Sequence, residues 1–210
     1  MAETVVVVSG SAPIRSDGVG LVPAGAPVVA ADAGVDHARA AGLTVSLAVG
    51  DFDSISAEGA ASLGVVEVER HPAEKDATDL ELALDAALAF DPRRVLVLSG
   101  AGPRLDHLLV ELGLIAAPRL AAVEVDAVFD STHVHVVRSE RRLTGEVGEL
   151  VSLVPMHGPA VGVTTEGLVY PLRGETLEAG SSRGTSNVFA EPEARVLLEQ
   201  GVLLAIRPRS

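Results

Sequence analysis

The sequence predicts an α/β protein, with an N-terminal parallel-sheet, Rossmann-like α/β domain followed by an all-β sandwich domain. In the first half, short β-branched runs such as TVVVV (4–8) and RVLVLS (94–99) alternate with helical patterns. Runs that are apolar at every position are typical of strands covered on both faces, and alternating strands and helices indicate a mostly parallel sheet. After about residue 120, short strand-like segments follow each other between Gly, Pro, Thr and Glu, which favours an antiparallel sandwich or barrel. We therefore expect one domain over residues 1–127 and a second over 128–210.

The individual elements follow from periodicity. Strands are expected at 4–8, 26–31, 44–49, 65–69 and 94–99, and helices at 33–42, 78–90 and 104–117. The clearest helix has apolar residues at spacings of three and four from Leu80 onward. Thr78 and Glu81 form a capping box before it, which places Asp79 in the first turn. No convincing helix follows residue 120, apart from a possible turn within 191–199.

Composition excludes several classes of function. Lys plus Arg number 16 against 29 Asp plus Glu, giving a net charge of -13, which disfavours nucleic acid and anionic membranes as partners. The absence of cysteine excludes disulfides and a cysteine nucleophile. No apolar run approaches the ~18 residues that span a bilayer, and the start, with Glu3, lacks a signal-peptide pattern. We expect a cytoplasmic protein whose anionic substrates would need a metal ion or local positive charge.

The motif GDFDS places Asp51 and Asp53 directly after an apolar run. In an extended segment the two carboxylates would share a face, and at about 5 Å they would repel by roughly 3 kcal/mol at an effective dielectric constant of about 20. They lie either on open surface, where Asp53 or Ser54 caps the next helix, or in a partly enclosed site that holds a cation. Ligands of open α/β sheets bind beyond the carboxyl ends of the strands, which favours the cation site.

A second acidic motif, HPAEKDATD, contains the only lysine of the chain. An ammonium group at Lys75, beside Asp76 and Asp79, is suited to contact phosphate. Two simpler interpretations remain open: Lys75 is a chance loop residue, and Asp79 merely complements the helix dipole.

The third motif, SGAGPRLDH, is a glycine-rich turn before a helix. Its backbone amides, with Gly102 in the turn, predict an anion site that Arg104 would reinforce. Neither the P-loop pattern nor the dinucleotide fingerprint is present. Asp106 and His107 could be catalytic, although a capping Asp and a structural His are the commoner roles. If the three motifs meet at one edge of the sheet, the site is equipped with carboxylates for Mg²⁺ and basic groups for phosphates, as phosphoryl-type transfer requires.

At these residues the sequence resembles the thiamine pyrophosphokinase (thiamine diphosphokinase) family. The matching motifs run through nearly the whole chain in the family's order: ADAGVD, GDFDSI, KDATDLELAL, GPRLDH, GLVYPL and GTSN. The resemblance implies an N-terminal α/β domain joined to a C-terminal β-sandwich. It also implies a homodimer with the site at the dimer interface, and transfer of the pyrophosphoryl group of ATP to the hydroxyl of thiamine, releasing AMP.

The resemblance also implies roles for residues. Asp51, Asp53 and Asp79 would hold Mg²⁺ and the phosphates of the co-substrate ATP, with one of them accepting the hydroxyl proton. Arg104 and Lys75 would neutralise charge on the transferring group. Asp32, Asp76, Gly102 and Asp106 would complete the nucleotide site. In the C-terminal domain the residues implied to face thiamine are Thr165, Tyr170, Ser186 and Asn187, with the chain's only tyrosine available to stack on the cationic ligand.

The sequence departs from the family's pattern at a few positions. Ala33 stands where a second glycine is usual, Ser99 and Pro103 replace frequent glycines, and Val110 and Glu111 occupy a region where an Asn is common. These departures leave two alternatives to an active thiamine diphosphokinase: a non-catalytic nucleotide- or thiamine-binding protein, and pyrophosphoryl transfer to a related hydroxylated acceptor.

Overall fold

The computed structural model describes residues 2–208, which form two compact units. The first unit contains the described residues up to Leu114 together with Ala122–Ser131. The second contains Ile115–Ala121 and the described residues from Thr132 onward. Among the described residues, no helix is long and apolar enough to cross a membrane.

The first unit is a six-stranded parallel sheet with helices between the strands. Its sheet order is β6-β5-β1-β2-β3-β4, and every pairing is parallel. The elements are β1 (Ala2–Val8), α1 (Ser16–Val19), β2 (Val28–Ala31), α2 (Gly34–Ala40), β3 (Leu47–Gly50), α3 (Ala57–Ser62), β4 (Glu67–Arg70), α4 (Asp79–Leu88), β5 (Pro92–Ser99), α5 (Leu105–Ile115) and β6 (Glu124–Phe129), with a 3-10 turn at Leu63–Val65.

The burial of β1 and α4 and the cap of α4 agree with the sequence patterns that predicted them. The last five residues of β1 are all buried, as expected for a strand covered on both faces. In α4 the apolar stripe is buried against β1, β2 and β3. The Oγ1 atom of Thr78 accepts a hydrogen bond from the backbone N–H of Glu81, so the predicted cap is confirmed and Asp79 lies in the first turn.

Three local expectations are corrected. The helix expected next after GDFDS is α3, but the side chain of Ser56 caps it, not that of Asp53 or Ser54. The strand expected at 65–69 is an edge strand, β4, whose residues are mostly exposed because they are largely Glu and Arg. The possible turn within 191–199 is instead strand β13 (Glu193–Leu197).

The second unit is built from antiparallel strands, and no α-helix follows α5 in the described part of the chain. One sheet has the order β12-β9-β14-β7 and the other β11-β10-β13-β8. Residues from both sheets, including Val151 and Val196, share one hydrophobic cluster around Phe189. The remaining elements are a 3-10 turn at Pro118–Leu120 and strands β7 (Thr132–Val137), β8 (Glu140–Thr144), β9 (Leu150–Pro155), β10 (Ala160–Glu166), β11 (Arg173–Leu177), β12 (Asn187–Val188) and β14 (Leu203–Arg207).

The structure confirms the predicted α/β class, with a parallel sheet in the first part of the chain and antiparallel strands after it.

Candidate active site

A cavity of about 710 Å³ lies in the first unit, lined by residues that follow the carboxyl ends of its strands. Because parallel strands all end at the same edge, segments distant in sequence meet there. The three motifs singled out from the sequence all contribute to the lining. Predicted site residues in that lining are Asp32, Asp51, Asp53, Lys75, Asp79, Arg104 and Asp106.

Three of the lining carboxylates form a compact cluster. Asp32, Asp51 and Asp79 each offer an oxygen atom, and these atoms all lie within 4.8 Å of one another. Asp32 follows β2 with φ 46°, a left-handed conformation that Asp tolerates better than most residues. Its Oδ1 atom is buried and has no hydrogen-bond partner among the described residues, which leaves a lone pair available to a cation.

Gly50 allows this cluster to form. Its φ of 148° is accessible essentially to glycine alone. A Cβ atom built on Gly50 would lie 3.0 Å from Oδ1 of Asp79 and 3.3 Å from Cα of Asp32. A side chain at position 50 would therefore fill the space between the two carboxylates.

The ammonium group of Lys75 lies within the acidic cluster. Its Nζ atom is 2.9 Å from Oδ2 of Asp51 and 3.2 Å from Oδ1 of Asp79. The Lys75 side chain is 13% exposed, so it is largely enclosed by the groups that it contacts. These contacts rule out the interpretation of Lys75 as an unengaged loop residue.

The surroundings shift the pKa values of Asp32 and Asp51 in opposite directions. Burial raises the pKa of Asp32, and the nearby charges of Asp79 and Asp51 add to that effect. The hydrogen bond from Lys75 lowers the pKa of Asp51. Burial alone would lower the pKa of Lys75, but its bonds to Asp51 and Asp79 outweigh burial and raise the pKa.

The donor set fits a hard divalent cation. Carboxylate oxygens are the ligands that Mg²⁺ prefers, and here three of them converge, one with an unsatisfied buried oxygen. The position taken by the Lys75 ammonium shows that a positive charge is accommodated between Asp51 and Asp79.

Asp53 does not join this cluster, although it lines the same cavity. The expectation of an extended segment is wrong here because Phe52 has φ 62°, which turns the chain between the two carboxylates. Asp53 is exposed and accepts a hydrogen bond from the hydroxyl of Ser54. Its backbone N–H donates to Oδ1 of Asp51, so the motif closes on itself as a turn.

The remaining predicted residues near the motifs are more exposed. Arg104 and Asp106 form a two-bond ion pair on the surface, with side chains 62% and 65% exposed. This pairing lowers the pKa of Asp106 and raises that of Arg104. His107 lines the cavity, whereas Asp76 is exposed outside it and Gly102, with φ 56°, forms the turn before α5.

One departure from the family pattern is structurally neutral. Ala33 has φ -58° and ψ -11° at the start of α2, which are ordinary helical values for any L-residue. No glycine is needed at that position.

A second group of polar residues in the cavity was not anticipated as a site. Glu111 on α5 is 4% exposed and accepts hydrogen bonds from the hydroxyls of Ser9, Ser11 and Ser99. The sequence marked Ser99 and Glu111 only as departures from the family pattern. The available signal was a serine directly after one predicted strand, Ser9, a serine at the end of another, Ser99, and a glutamate in the helix that follows the second strand.

The second unit contains a smaller cavity, of about 120 Å³. Tyr170, Ser186 and Asn187 line it, and the Tyr170 side chain remains exposed. Asn187 holds the Tyr170 backbone at both ends: its Oδ1 atom accepts from the Tyr170 N–H, and its Nδ2 atom donates to the Tyr170 carbonyl. Thr165 is buried outside this cavity and accepts a hydrogen bond from Leu172 N–H.

The fold and the cavities define a class: an α/β unit with an acidic, cation-accommodating site at the carboxyl edge of its parallel sheet, followed by an antiparallel β unit. Two family models match this arrangement. Thiamin pyrophosphokinase, catalytic domain, matches residues 23–126, and thiamin pyrophosphokinase, vitamin B1 binding domain, matches residues 132–203. The chain belongs to the thiamine pyrophosphokinase family.

Individual relatives agree with this assignment. The thiamine pyrophosphokinase of Bacillus subtilis (strain 168) is 28% identical over 171 residues, which are 80% of each chain. The crystal structure of thiamine pyrophosphokinase from Bacillus subtilis has a TM-score of 0.85 at 25% identity, covering 99% of both chains. The thiamin pyrophosphokinase structure from Geobacillus thermodenitrificans has a TM-score of 0.83 at 27% identity, covering 99% of this chain and 98% of that one.

Proposed function

We propose that this protein is a Mg²⁺-dependent thiamine diphosphokinase, which transfers the pyrophosphoryl group of ATP to the hydroxyl of thiamine and releases AMP. The observation that carries the proposal is the cluster of Asp32, Asp51 and Asp79 around Lys75, inside a cavity at the carboxyl edge of the sheet. Membership of the family, shown by both halves of the chain, supports it. Because ATP is the co-substrate, we place the activity in the cytoplasm.

Asp51 and Asp79 would hold the metal ion together with Asp32. The unsatisfied buried oxygen of Asp32 supports this assignment. Bound Mg²⁺ would neutralise charge on the polyphosphate and fix its orientation. Asp53 is exposed at the turn and lines the same cavity, and we propose that it helps to orient the metal–phosphate group.

Two basic residues are available for the phosphate oxygens. Lys75 already lies between Asp51 and Asp79, so a small movement of its ammonium would bring it to a phosphate that binds there. Arg104 is exposed in the cavity lining and can exchange its partner Asp106 for phosphate. Asp76 and Gly102 lie in the adjacent loops, at the edges of the nucleotide site that we propose.

The transfer step requires removal of one proton. The thiamine hydroxyl oxygen forms a bond to the β-phosphorus of ATP, the bond from that phosphorus to the oxygen shared with the α-phosphate breaks, and AMP leaves with that oxygen. The hydroxyl proton passes to a carboxylate of the cluster. A carboxylate within hydrogen-bond reach of the hydroxyl is sufficient for this role.

We place thiamine against the second unit. Tyr170 offers an exposed aromatic ring, on which a cationic ligand can stack. Ser186 and Asn187 line the same small cavity, and Thr165 supports it through its bond to Leu172. We further propose a homodimer with the active site at the dimer interface. Sedimentation velocity tests whether the protein is a dimer.

The activity is tested by incubating the pure protein with ATP, Mg²⁺ and thiamine and separating the products by chromatography. Thiamine diphosphate and AMP in equal amounts support the proposal. Thiamine binding without product would instead indicate a non-catalytic binding protein. Product from another hydroxylated pyrimidine or thiazole, with none from thiamine, would reassign the acceptor.

A further inference from the structure

Glu111 is a buried carboxylate held by hydroxyl groups alone. Oε1 accepts from Ser9 at 2.7 Å and also from Ser11, and Oε2 accepts from Ser99 at 3.1 Å. Ser9 and Ser99 are 1% and 2% exposed. No Lys, Arg or His lies within ion-pair distance of Glu111 in the described part of the chain. We call these four residues the serine–glutamate cluster.

The hydrogen bonds within the cluster decide which of its groups remain able to donate or accept hydrogen bonds to a ligand. The hydroxyls of Ser9, Ser11 and Ser99 each donate to a carboxylate oxygen of Glu111. Ser9 Oγ also accepts from the backbone N–H of Ser11 at 3.2 Å, and the Ser99 hydroxyl lies 3.0 Å from the Gly100 carbonyl oxygen as well. Ser9 and Ser11 line the cavity beside Glu111, whereas Ser99 does not, so Ser99 holds Glu111 from the far side. Because Ser9 is 1% exposed and its Oγ already accepts a hydrogen bond, the serine oxygen that the cavity reaches is the partly exposed Oγ of Ser11, whose proton points to Glu111. Side chains of this part of the wall accept hydrogen bonds and have none to donate.

The cluster lies where an open α/β sheet binds ligands. Ser9 follows β1 and Ser99 ends β5, and these adjacent strands connect to opposite sides of the sheet. Such a switch point forms the crevice in which nucleotides bind. The apolar side chains of Val110 and Leu114, on either side of Glu111 in α5, also line the cavity.

The same polarity excludes phosphate from this wall. Phosphate oxygens are acceptors and negatively charged, so they would meet acceptors and a carboxylate. The complementary ligand carries hydrogen-bond donors next to an apolar surface. On a nucleotide, this describes the ribose, with two hydroxyl donors beside the base.

We propose that the serine–glutamate cluster binds the ribose hydroxyls of the nucleotide, so that the polyphosphate points toward Asp32, Asp51 and Asp79. This inference rests on the proposed function in so far as ATP is the co-substrate. It makes Ser11 and Glu111 determinants of sugar specificity, with the buried Ser9 and Ser99 positioning Glu111.

The test measures binding of AMP and of 2′,3′-dideoxy-AMP to the full chain by calorimetry, without metal or thiamine. The wild type should bind AMP at least about tenfold more tightly, since each lost hydrogen bond is worth about 1 kcal/mol. In Glu111→Gln, AMP affinity should fall about tenfold and dideoxy-AMP affinity should stay the same, because the amide disturbs the serine proton directions. Glu58→Gln, an exposed glutamate on α3, is the matched control and should leave both affinities unchanged.

Equal binding of the two nucleotides by the wild type overturns the inference. So does an equal loss of both affinities in Glu111→Gln, because a structural defect does not distinguish sugars. If Glu111→Gln fails to fold, Ser11→Ala removes one acceptor facing the cavity and should lower the AMP to dideoxy-AMP preference; an unchanged preference overturns the inference.

The ribose site and the proposed kinase activity can fail independently of each other in these experiments. Sugar discrimination without thiamine turnover keeps the ribose site and refutes the kinase. Turnover without sugar discrimination keeps the kinase and refutes the ribose site.

Discussion

Lys75 Nζ lies 2.9 Å from Oδ2 of Asp51, and each group shifts the other's pKa toward the charged form. The lysine thereby neutralises part of a cluster whose three carboxylates would otherwise repel each other. The Lys75 ammonium stabilises the metal-free protein by occupying the oxygen atoms that we expect a divalent cation to bind.

Replacing Lys75 by methionine should destabilise the metal-free protein. The variant leaves Asp51 and Asp79 without their cation, and we expect the free energy of unfolding to fall by about 1–3 kcal/mol at pH 7. Added Mg²⁺ should restore thermal stability more in the variant than in the wild type, because no ammonium competes for the oxygens. Equal Mg²⁺ responses, measured by thermal unfolding, would argue against a shared site.

The stabilising effect of the Lys75–Asp51 pair should vanish at acid pH. The folded-state pKa of Asp51 is lowered, so its contribution is present above the ordinary unfolded value of about 3.9 and is lost as the pH falls through the folded value. The difference in unfolding free energy between wild type and Lys75→Met should therefore narrow as pH decreases below about 4. Denaturant titrations at a series of pH values measure this difference, and a constant gap would contradict the account.

Asp51→Asn and Asp79→Asn should each separate catalysis from folding. Turnover should fall by at least about 100-fold, whereas the free energy of unfolding should change by less than about 1 kcal/mol because like-charge repulsion is relieved as contacts are lost. Asp85→Asn is the control, because Asp85 is an exposed carboxylate on α4, the helix that carries Asp79. A parallel loss of activity and stability would indicate that the carboxylates are structural.

Gly50→Ala should disrupt the carboxylate cluster. The new Cβ atom would contact Asp79 and Asp32 in a backbone conformation that only glycine adopts readily. We expect a stability loss of about 1–3 kcal/mol and a larger loss of Mg²⁺ binding. Gly64→Ala is the control, since nothing lies within 4 Å of its Cβ position. Normal Mg²⁺ binding by Gly50→Ala would show that the cluster does not bind the ion as proposed.

Tyr170→Ala should raise the KM for thiamine by about fivefold or more, because it removes an exposed ring available to the cationic ligand. Tyr170→Phe keeps the ring and should retain most of the affinity. If both variants lose affinity equally, the hydroxyl and not the aromatic face is responsible. Steady-state kinetics at saturating ATP measure the effect.

The sequence was most informative where local rules apply. The cap at Thr78, the buried strand β1 and the change from α/β to antiparallel strands all follow from short-range patterns. The meeting of Asp51, Lys75 and Asp79 at one edge could be anticipated because parallel strands end together.

The finer features of the site depend on conformation that spacing does not reveal. The left-handed turn at Phe52 separates Asp53 from Asp51, and the left-handed Asp32 completes the cluster instead. The bonds from Ser9 and Ser99 to Glu111 join residues about one hundred and about twelve positions apart along the chain. No periodic pattern indicates such contacts, because they depend on where Glu111 of α5 meets the ends of β1 and β5.

The central claim is transfer of a pyrophosphoryl group, and tracing isotopic label through a single turnover tests it most directly. With the protein, Mg²⁺ and thiamine, ATP labelled at the γ-phosphate should deliver its label to thiamine diphosphate, and ATP labelled at the α-phosphate should deliver its label to AMP. Label from the γ-phosphate in thiamine monophosphate, with α-label in ADP, would contradict the account.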